Sequence, residues 1–287
     1  MTVLEAIQRS AEFLAKRGVD SPRLQAELLL AHQLRLPRMK LYLNFERVLT
    51  PAELDSLREL VKRRAHREPL QHILGSTSFC GLEIALNRQA LIPRPETELL
   101  AEQGWTFLNQ FSASPASPLT ALDFGTGSGC LAVALAVKSP TAQVSACDLS
   151  PEALALARQN ALQNGVADRI SFFQGDGFAA LPPEARFTLI VSNPPYIPTA
   201  EIDTLQPEVR DYDPRLALDG GPDGLRFYRR LAAEAAPFLR PGGKLLLEFG
   251  DGQAEVIKNL FQRQNWIVEA LIEDYTRRPR ILMVYRD

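Results

Sequence analysis

From residue 119 to the C-terminus, apolar runs of strand length alternate with stretches of helical period. LTALDFG reads as a buried strand and CLAVALAVK as a helix. QVSACD, RISFFQGD, FTLIVSN and GKLLLEFG read as further strands, with signals returning near 266–273 and 280–286. PEALALARQNALQNG, GLRFYRRLAAEAAPFL and QAEVIKNLFQRQ carry helical spacing. Such alternation predicts a mostly parallel sheet covered by helices on both faces. An apolar content of 46% and a charged content of 23%, both near the globular average, exclude a coiled-coil rod, a collagen-like repeat and a disordered tail. Sheets of this kind bind ligands beyond the carboxyl ends of their strands, where the strand order reverses.

The front of the chain reads differently. Val3, Leu4, Ile7, Phe13 and Leu14 fall on one helix face. Ser21-Pro22 caps and opens a second helix carrying Leu24, Leu28 and Leu29. Thr50-Pro51-Ala52-Glu53 is a capping box, followed by Leu54, Leu57, Leu60 and Val61 at helical spacing. Lys62, Arg63, Arg64 and Arg67 read as the solvated side of that helix. TSFCGLEIALN (77–87) alternates around a glycine and predicts a hairpin bridging two domains. Pro95 opens a helix reaching about Phe111, and SASPASP (112–118) reads as a polar linker. The 287 residues suit two domains at about 100–200 residues each.

The net charge of −2 gives no global cationic field that would draw the chain onto nucleic acid. Residues 1–88 hold 14 Lys/Arg against 10 Asp/Glu, and the remainder 18 against 24, so the front is mildly basic. No apolar run reaches the roughly 18 residues that span a bilayer, and the N-terminus lacks the apolar core of a secretion signal. Cys80, Cys130 and Cys147 show neither disulfide nor zinc spacing; no metal site is expected. Cys130 and Cys147 read as core residues, and a reducing, cytoplasmic setting fits. His32, His66 and His72 read as surface or helix-face residues.

Asp123-Phe124-Gly125-Thr126-Gly127-Ser128-Gly129 follows the first strand of the sheet and opens a helix. Three alternate glycines let the backbone turn sharply and approach a ligand closely. The spacing is GxGxG rather than the GxGxxG of a dinucleotide site, and no GK[ST] follows, which excludes a phosphate-binding P-loop and disfavours a nicotinamide enzyme. The acid at Asp123 suits a cationic ligand. Asp148 ends the next strand, where a carboxylate can accept from both hydroxyls of an adenosine ribose. Asp176, followed by Gly177, ends the third; it can accept from an adenine amino group while the adjoining backbone lines the base. Taken singly, each acid is a common turn or cap residue, but three on successive strand ends are not.

Asn193-Pro194-Pro195-Tyr196 ends the fourth strand, where two prolines stiffen the backbone and stop the ladder. The bland alternative is a rigid turn. The chemistry says more. A planar NH2 is a poor nucleophile because its lone pair is delocalised. The Asn193 side-chain oxygen and the Pro194 carbonyl can each accept one of its N–H bonds, and so favour positive charge growing on nitrogen. Tyr196 can pack against the flat group. N-methylation of a planar NH2 follows, with no His or Glu beside the motif that must act as a base.

DFGTGSG followed by Asp148 resembles the S-adenosylmethionine site of class I methyltransferases. The wider context is similar to the bacterial release-factor glutamine methyltransferases, the HemK/PrmC family. The segments that carry the resemblance are PLQHILG (69–75), LIPRPETELL (91–100), LDFGTGSGCLAVAL (122–135), VSNPPYIP (191–198), DPRLALDGGPDGLRFYRRL (213–231) and LLLEFGDGQAEVI (245–257). The resemblance implies a Rossmann-like α/β fold with a seven-stranded sheet. It also implies a five-helix N-terminal substrate-recognition domain (1–75), a hairpin linker (76–93) and a methyltransferase domain (94–287). By the same resemblance, Gly125, Thr126, Gly127, Ser128, Gly129, Asp148, Asp176, Gly177 and Asn193 line S-adenosylmethionine, which leaves as S-adenosylhomocysteine. Asn193, Pro194, Pro195 and Tyr196 then hold the glutamine of the Gly-Gly-Gln loop of class I peptide chain release factors, in support of translation termination. A monomer without membrane or direct nucleic-acid contact is expected. Two positions depart from the family: Gly177, where relatives often have a large residue, and Cys80, where they often have an aromatic, a departure expected to loosen the hairpin. Arg94, Glu96, Thr97 and Glu98 stand between an ordinary proline-started helix and a role near the cofactor, with Arg94 or Thr97 closing over it. The glycine-rich loop DPRLALDGGPDG reads as shaping the substrate mouth.

An adenine-N6 methyltransferase of DNA or ribosomal RNA carries the same tetrapeptide, but calls for a basic groove and a flipped-base platform. A non-catalytic module that kept the fold would not need both DFGTGSG and an intact NPPY.

Overall fold

The structure, a computed structural model, describes residues 1–111 and 118–287; the linker expected at 112–118 lies almost wholly outside the described residues. Two compact units emerge. One comprises Met1–Ser76 together with Gln206–Tyr212, the other Thr77–Leu205 and Asp213–Asp287.

The first unit holds five helices from the front of the chain: α1 (Val3–Ala15), α2 (Pro22–Leu34), α3 (Arg38–Tyr42), α4 (Pro51–Ala65) and α5 (Leu70–Leu74). Thr2 and Thr50 both close capping boxes, so α1 and α4 begin where reciprocal side-chain bonds satisfy orphan amides. Val3, Ile7, Leu14, Leu29, Leu30, Leu57 and Val61 form the core. Leu24 and Phe13, expected on apolar faces, are exposed; Ala26, Leu29 and Leu30 carry the buried face of α2 instead. The expectation of a solvated Arg64 is corrected. It is buried, donating to Glu208 Oε1 at 2.7 Å, to Gln25 Oε1 and to the Glu68 carbonyl. Arg67 completes the pair at Glu208 Oε2, 2.7 Å away. A guanidinium can be buried when its donors are filled in this way. His72 is likewise buried on α5 rather than on the surface.

In the second unit, β1 (Ser76–Phe79) and β2 (Leu82–Ala85) form a two-stranded sheet. Cys80 and Gly81 between them have φ of 53° and 77°, the left-handed pair of a two-residue hairpin turn. Cys80 is therefore a turn residue, and its amide is fixed by Glu98 Oε1 at 2.8 Å. Then follow α6 (Pro95–Gln110), β3 (Thr120–Phe124), α7 (Cys130–Lys138), β4 (Gln143–Asp148), α8 (Pro151–Gln163), β5 (Ile170–Gln174) and β6 (Phe187–Ser192). After α9 (Pro207–Arg210), which lies in the first unit, come α10 (Arg215–Leu218), α11 (Arg226–Glu234), β7 (Leu239–Glu248), α12 (Ala254–Arg263), β8 (Ile267–Glu273) and β9 (Pro279–Tyr285). α11 stops earlier than its apolar period predicts, because Pro237 lacks the N–H to continue it.

The seven strands run β5-β4-β3-β6-β7-β9-β8. The first five are parallel, and β9 is antiparallel to both neighbours. The order reverses at β3, between β4 and β6, which sets the ligand-binding crevice there. β6 feeds two cores: Leu189 and Val191 pack with α6 and α7 and Ile190 with α11 and α12, while Phe187 joins the second core across the register shift between Phe187 and Leu189. The sheet is the mostly parallel one expected from the alternating sequence, with the seven strands and Rossmann-like order that the family resemblance implies.

Candidate active site

β3 ends in the glycine turn, whose residues φ explain. Gly125, Gly127 and Gly129 have φ of 76°, 54° and 80°, values that disfavour any side chain. At Gly129 there is also no room: a Cβ would stand 2.8 Å from that of Ala157 on α8. At Gly125 nothing lies within 4 Å of a would-be Cβ, so the backbone faces open space. The turn is braced from below. Asp123 is fully buried, and its Oδ2 accepts from Thr126 Oγ1 at 2.6 Å and from the Ala132 amide at 3.1 Å. Burial pushes its carboxyl up to about 7, against the pull of those two bonds. Asp123 thus shapes the turn from inside the protein, which revises its expected part as an acid facing a cation. Ser128 is also buried, and its carbonyl accepts from Asn160 Nδ2 at 2.8 Å.

Asp148, at the end of β4, spends one oxygen on the Gly127 amide (2.8 Å) and the other on Ser150 N (2.9 Å). Each oxygen keeps a second lone pair for a hydroxyl. Asp176 is exposed and bound to Arg230 of α11 through Oδ1 and its carbonyl, leaving Oδ2. Arg230 was not foreseen from the sequence. It also explains Gly177: a Cβ there would meet the Phe124 ring at 2.7 Å and the Arg230 guanidinium at 3.1 Å.

β6 sits beside β3, with Asp123 opposite Val191. The buried Ser192 hydroxyl donates to the Phe124 carbonyl at 2.7 Å. That bond ties the base of the NPPY segment to the start of the glycine turn. Asn193 is half-buried and its Nδ2 donates to Thr97 Oγ1 at 3.1 Å. Its oxygen carries no hydrogen bond among the described residues. Among the described residues no backbone or side-chain donor reaches the Pro194 carbonyl. Two acceptors therefore lie on consecutive residues of a proline-fixed segment.

The rest of the segment is held from behind. The Tyr196 carbonyl accepts from Gln253 Nε2 at 3.0 Å, and Gln253 Oε1 accepts from Gly250 N at 3.0 Å. Gly250 allows the Tyr196 ring to lie so close that a Cβ would be 2.9 Å from Cδ2. The ring packs partly into the core as a wall of the site, and burial raises its hydroxyl above the usual range. The glycine-rich loop closes over the same backbone: Gly220 N donates to Ile197 O, Ile197 N to Leu218 O, and a Cβ at Gly224 would strike the Tyr196 carbonyl. This loop buttresses the motif.

The PRPETE segment resolves residue by residue. Arg94 donates to the buried Asp213 at 2.6 Å, Thr97 receives Asn193, and Glu98 holds the hairpin. Sequence reasoning missed Glu248, at the end of β7. It is 2% exposed. The Thr97 hydroxyl and the Asn193 amide both lie against it, and burial outweighs them to push its carboxyl up to about 7. The available signal was a lone acid ending the apolar run GKLLLE, since such residues are rarely buried without a purpose.

Residues 5–75 match the PrmC N-terminal domain, and residues 105–208 the methyltransferase small domain. A release factor glutamine methyltransferase of Geobacter sulfurreducens is 48% identical over 91% of this chain and 89% of its own. Its counterpart in Moorella thermoacetica is 41% identical over 100% of this chain and 99% of its own. Among solved structures, a methyltransferase from Pyrococcus furiosus superposes with a TM-score of 0.53 at 22% identity, covering 78% of this chain and 98% of that one, a likeness of fold. With a strand-end glycine turn, an adjoining NPPY segment and full-length identity of this degree, the chain belongs to the release factor glutamine methyltransferase family.

Proposed function

We propose that the protein transfers a methyl group from S-adenosylmethionine to the side-chain amide nitrogen, N5, of the glutamine in the Gly-Gly-Gln loop of class I release factors. Membership of the family supports glutamine methylation of release factors. The observation that carries the atomic reading is the orientation of Asn193, whose nitrogen faces Thr97 and Glu248 and whose oxygen carries no hydrogen bond among the described residues.

The residues present fit S-adenosylmethionine. The open face at Gly125 admits a ligand against the backbone, and Asp148 and Asp176 retain acceptor capacity on the neighbouring strand ends. Gly125, Thr126, Gly127, Ser128 and Gly129 would hold its amino-acid portion, Asp148 its ribose, and Asp176 with Gly177 its adenine. When bound, it supplies an electrophilic methyl on a sulfonium centre. The chain's own residues do the rest. The Asn193 oxygen and the Pro194 carbonyl accept the two N–H bonds of the glutamine amide and fix the direction of its nitrogen. Those fixed dipoles favour positive charge on that nitrogen without a strong base. Pro195 stiffens the segment, Tyr196 walls the site, and the fixed placement supplies a proximity effect.

The test is to incubate the protein with methyl-labelled cofactor. Intact release factor, release factor with the Gly-Gly-Gln glutamine replaced, and nucleic acid are offered separately. Label is expected only in the first. Label in nucleic acid alone would establish the adenine-N6 reading instead.

A further inference from the structure

Three side chains from three elements meet behind the NPPY segment: Thr97 in the first turn of α6, Asn193 after β6, and Glu248 at the end of β7. Thr97 and Glu248 are each 2% exposed. Among the described residues Glu248 Oε2 has no hydrogen-bond partner. A carboxyl group buried with unfilled acceptor capacity is costly. Its position suggests work on the neighbouring amide.

We propose that Glu248 is a positioning residue that, through Thr97, sets which end of the Asn193 amide faces the substrate. The argument is one of donors and acceptors. An ionised carboxylate can only accept, whereas a threonine hydroxyl has one hydrogen to give and two lone pairs. If the Thr97 hydrogen is committed to Glu248, Thr97 Oγ1 can only accept from Asn193. Asn193 must then turn Nδ2 inward, as observed at 3.1 Å, and present its oxygen outward. An outward oxygen accepts from the glutamine NH2, while an outward NH2 would oppose it donor to donor. The inference rests on the proposed grip of Asn193 on the glutamine nitrogen.

Protonation reverses the logic. A neutral Glu248 can donate to Thr97 Oγ1, which releases the Thr97 hydrogen to point at the amide oxygen and turn Nδ2 outward. The groups facing Glu248 are Glu96 of α6, Tyr196 after β6, Tyr228 of α11 and Arg280 of β9. Tyr228 donates to the backbone carbonyl of Glu248 at 2.8 Å. Both tyrosine hydroxyls are held above their ordinary range by burial, so they stay neutral near pH 7. Arg280 is bonded to Asp274 at 3.0 Å and acts at a distance. With its carboxyl pushed up by burial to about 7, Glu248 changes charge within the working range.

The experiment compares the wild type with Glu248→Gln, Glu248→Asp and Thr97→Val across pH 5.5–8.5. It measures kcat and KM for release factor, and cofactor affinity separately. In the wild type kcat is expected to rise with pH along a limb centred near 7. Glu248→Gln, which can donate to Thr97, is expected to lose kcat by roughly 10²-fold, as for the loss of one preorganised dipole. It should also lose that limb, with cofactor affinity unchanged. Glu248→Asp should recover part of the rate and the limb. In protein labelled with 15N-asparagine, the Asn193 side-chain resonances should shift with the same midpoint and stay fixed in Glu248→Gln. A Glu248→Gln protein that keeps kcat within threefold and the same limb would overturn the proposal. If that variant does not fold, Thr97→Val carries the comparison: retained kcat there overturns it equally. Should Asn193→Ala retain turnover, the grip itself is wrong, an outcome distinct from failure at Glu248.

Discussion

In the proposed reading the decisive atoms are the Asn193 oxygen and the Pro194 carbonyl, and each residue around them limits what they can do. Asn193→Ala removes one acceptor while leaving the glycine turn and Asp148 intact. It is expected to lower kcat by about 10²-fold or more while cofactor affinity, measured by calorimetry, changes little. A parallel loss of cofactor affinity would make Asn193 chiefly a cofactor residue. Gly129→Ala tests the turn from the other side. A methyl there meets Ala157 at 2.8 Å and must adopt φ of 80°. A cost of about 1–3 kcal/mol from overpacking, seen as a lower urea midpoint, should accompany weakened cofactor binding. The glycines and NPPY were legible in the sequence because their residue types state their own reason: only glycine suits those angles, and only proline fixes that turn. Glu248 and Arg230 were not. Their meaning comes from partners 151 and 54 positions away, Thr97 and Asp176, and no local pattern reports such distances.

Elements are joined by single side chains as much as by apolar area. Asn160 on α8 is fully buried. Its Oδ1 accepts from Ala85 N at 2.7 Å, and its Nδ2 donates to Ala85 O (3.1 Å) and Ser128 O (2.8 Å). One amide thereby joins the hairpin, α8 and the glycine turn. Asn160→Ala strands three backbone groups, and a loss of about 3 kcal/mol or more is expected in denaturant unfolding. Activity should fall with it, because the turn loses its brace. The sequence revealed α8 as a helix by its period and gave no hint of this bond, since asparagine is equally common at a solvated helix end. Element types were readable wherever burial leaves a signal in the sequence, as the unbroken buried run of β6 does. Boundaries failed where one residue overrode the pattern, as Pro237 does in shortening α11.

At the scale of the whole molecule, buried carboxyls give stability a direction with pH. Asp123 and Glu248 both bind their protons up to about 7, far above ordinary carboxyls, because burial disfavours their charge. Between the ordinary carboxyl range and pH 7 the folded chain therefore holds more protons than the unfolded one. Its stability from these groups is full in acid and is lost as pH rises through 7. Carboxyls held low by ion pairs, such as Glu27 and Glu208, act only below that window. The ligand-free protein should thus melt at a lower temperature at pH 8 than at pH 5.5, and Asp123→Asn should narrow the difference in a melting series. Strand alternation announced the sheet early, whereas the composition of the helical unit was hidden, because Glu208 reaches it from the short helix α9, over a hundred residues downstream. A gene trimmed after residue 76 would then encode a front segment with two arginines deprived of their shared counter-charge, one of them buried. Such a product should unfold at lower denaturant than the same helices supplied with the Gln206–Tyr212 strip as a peptide, because a buried guanidinium stripped of its carboxylate is costly.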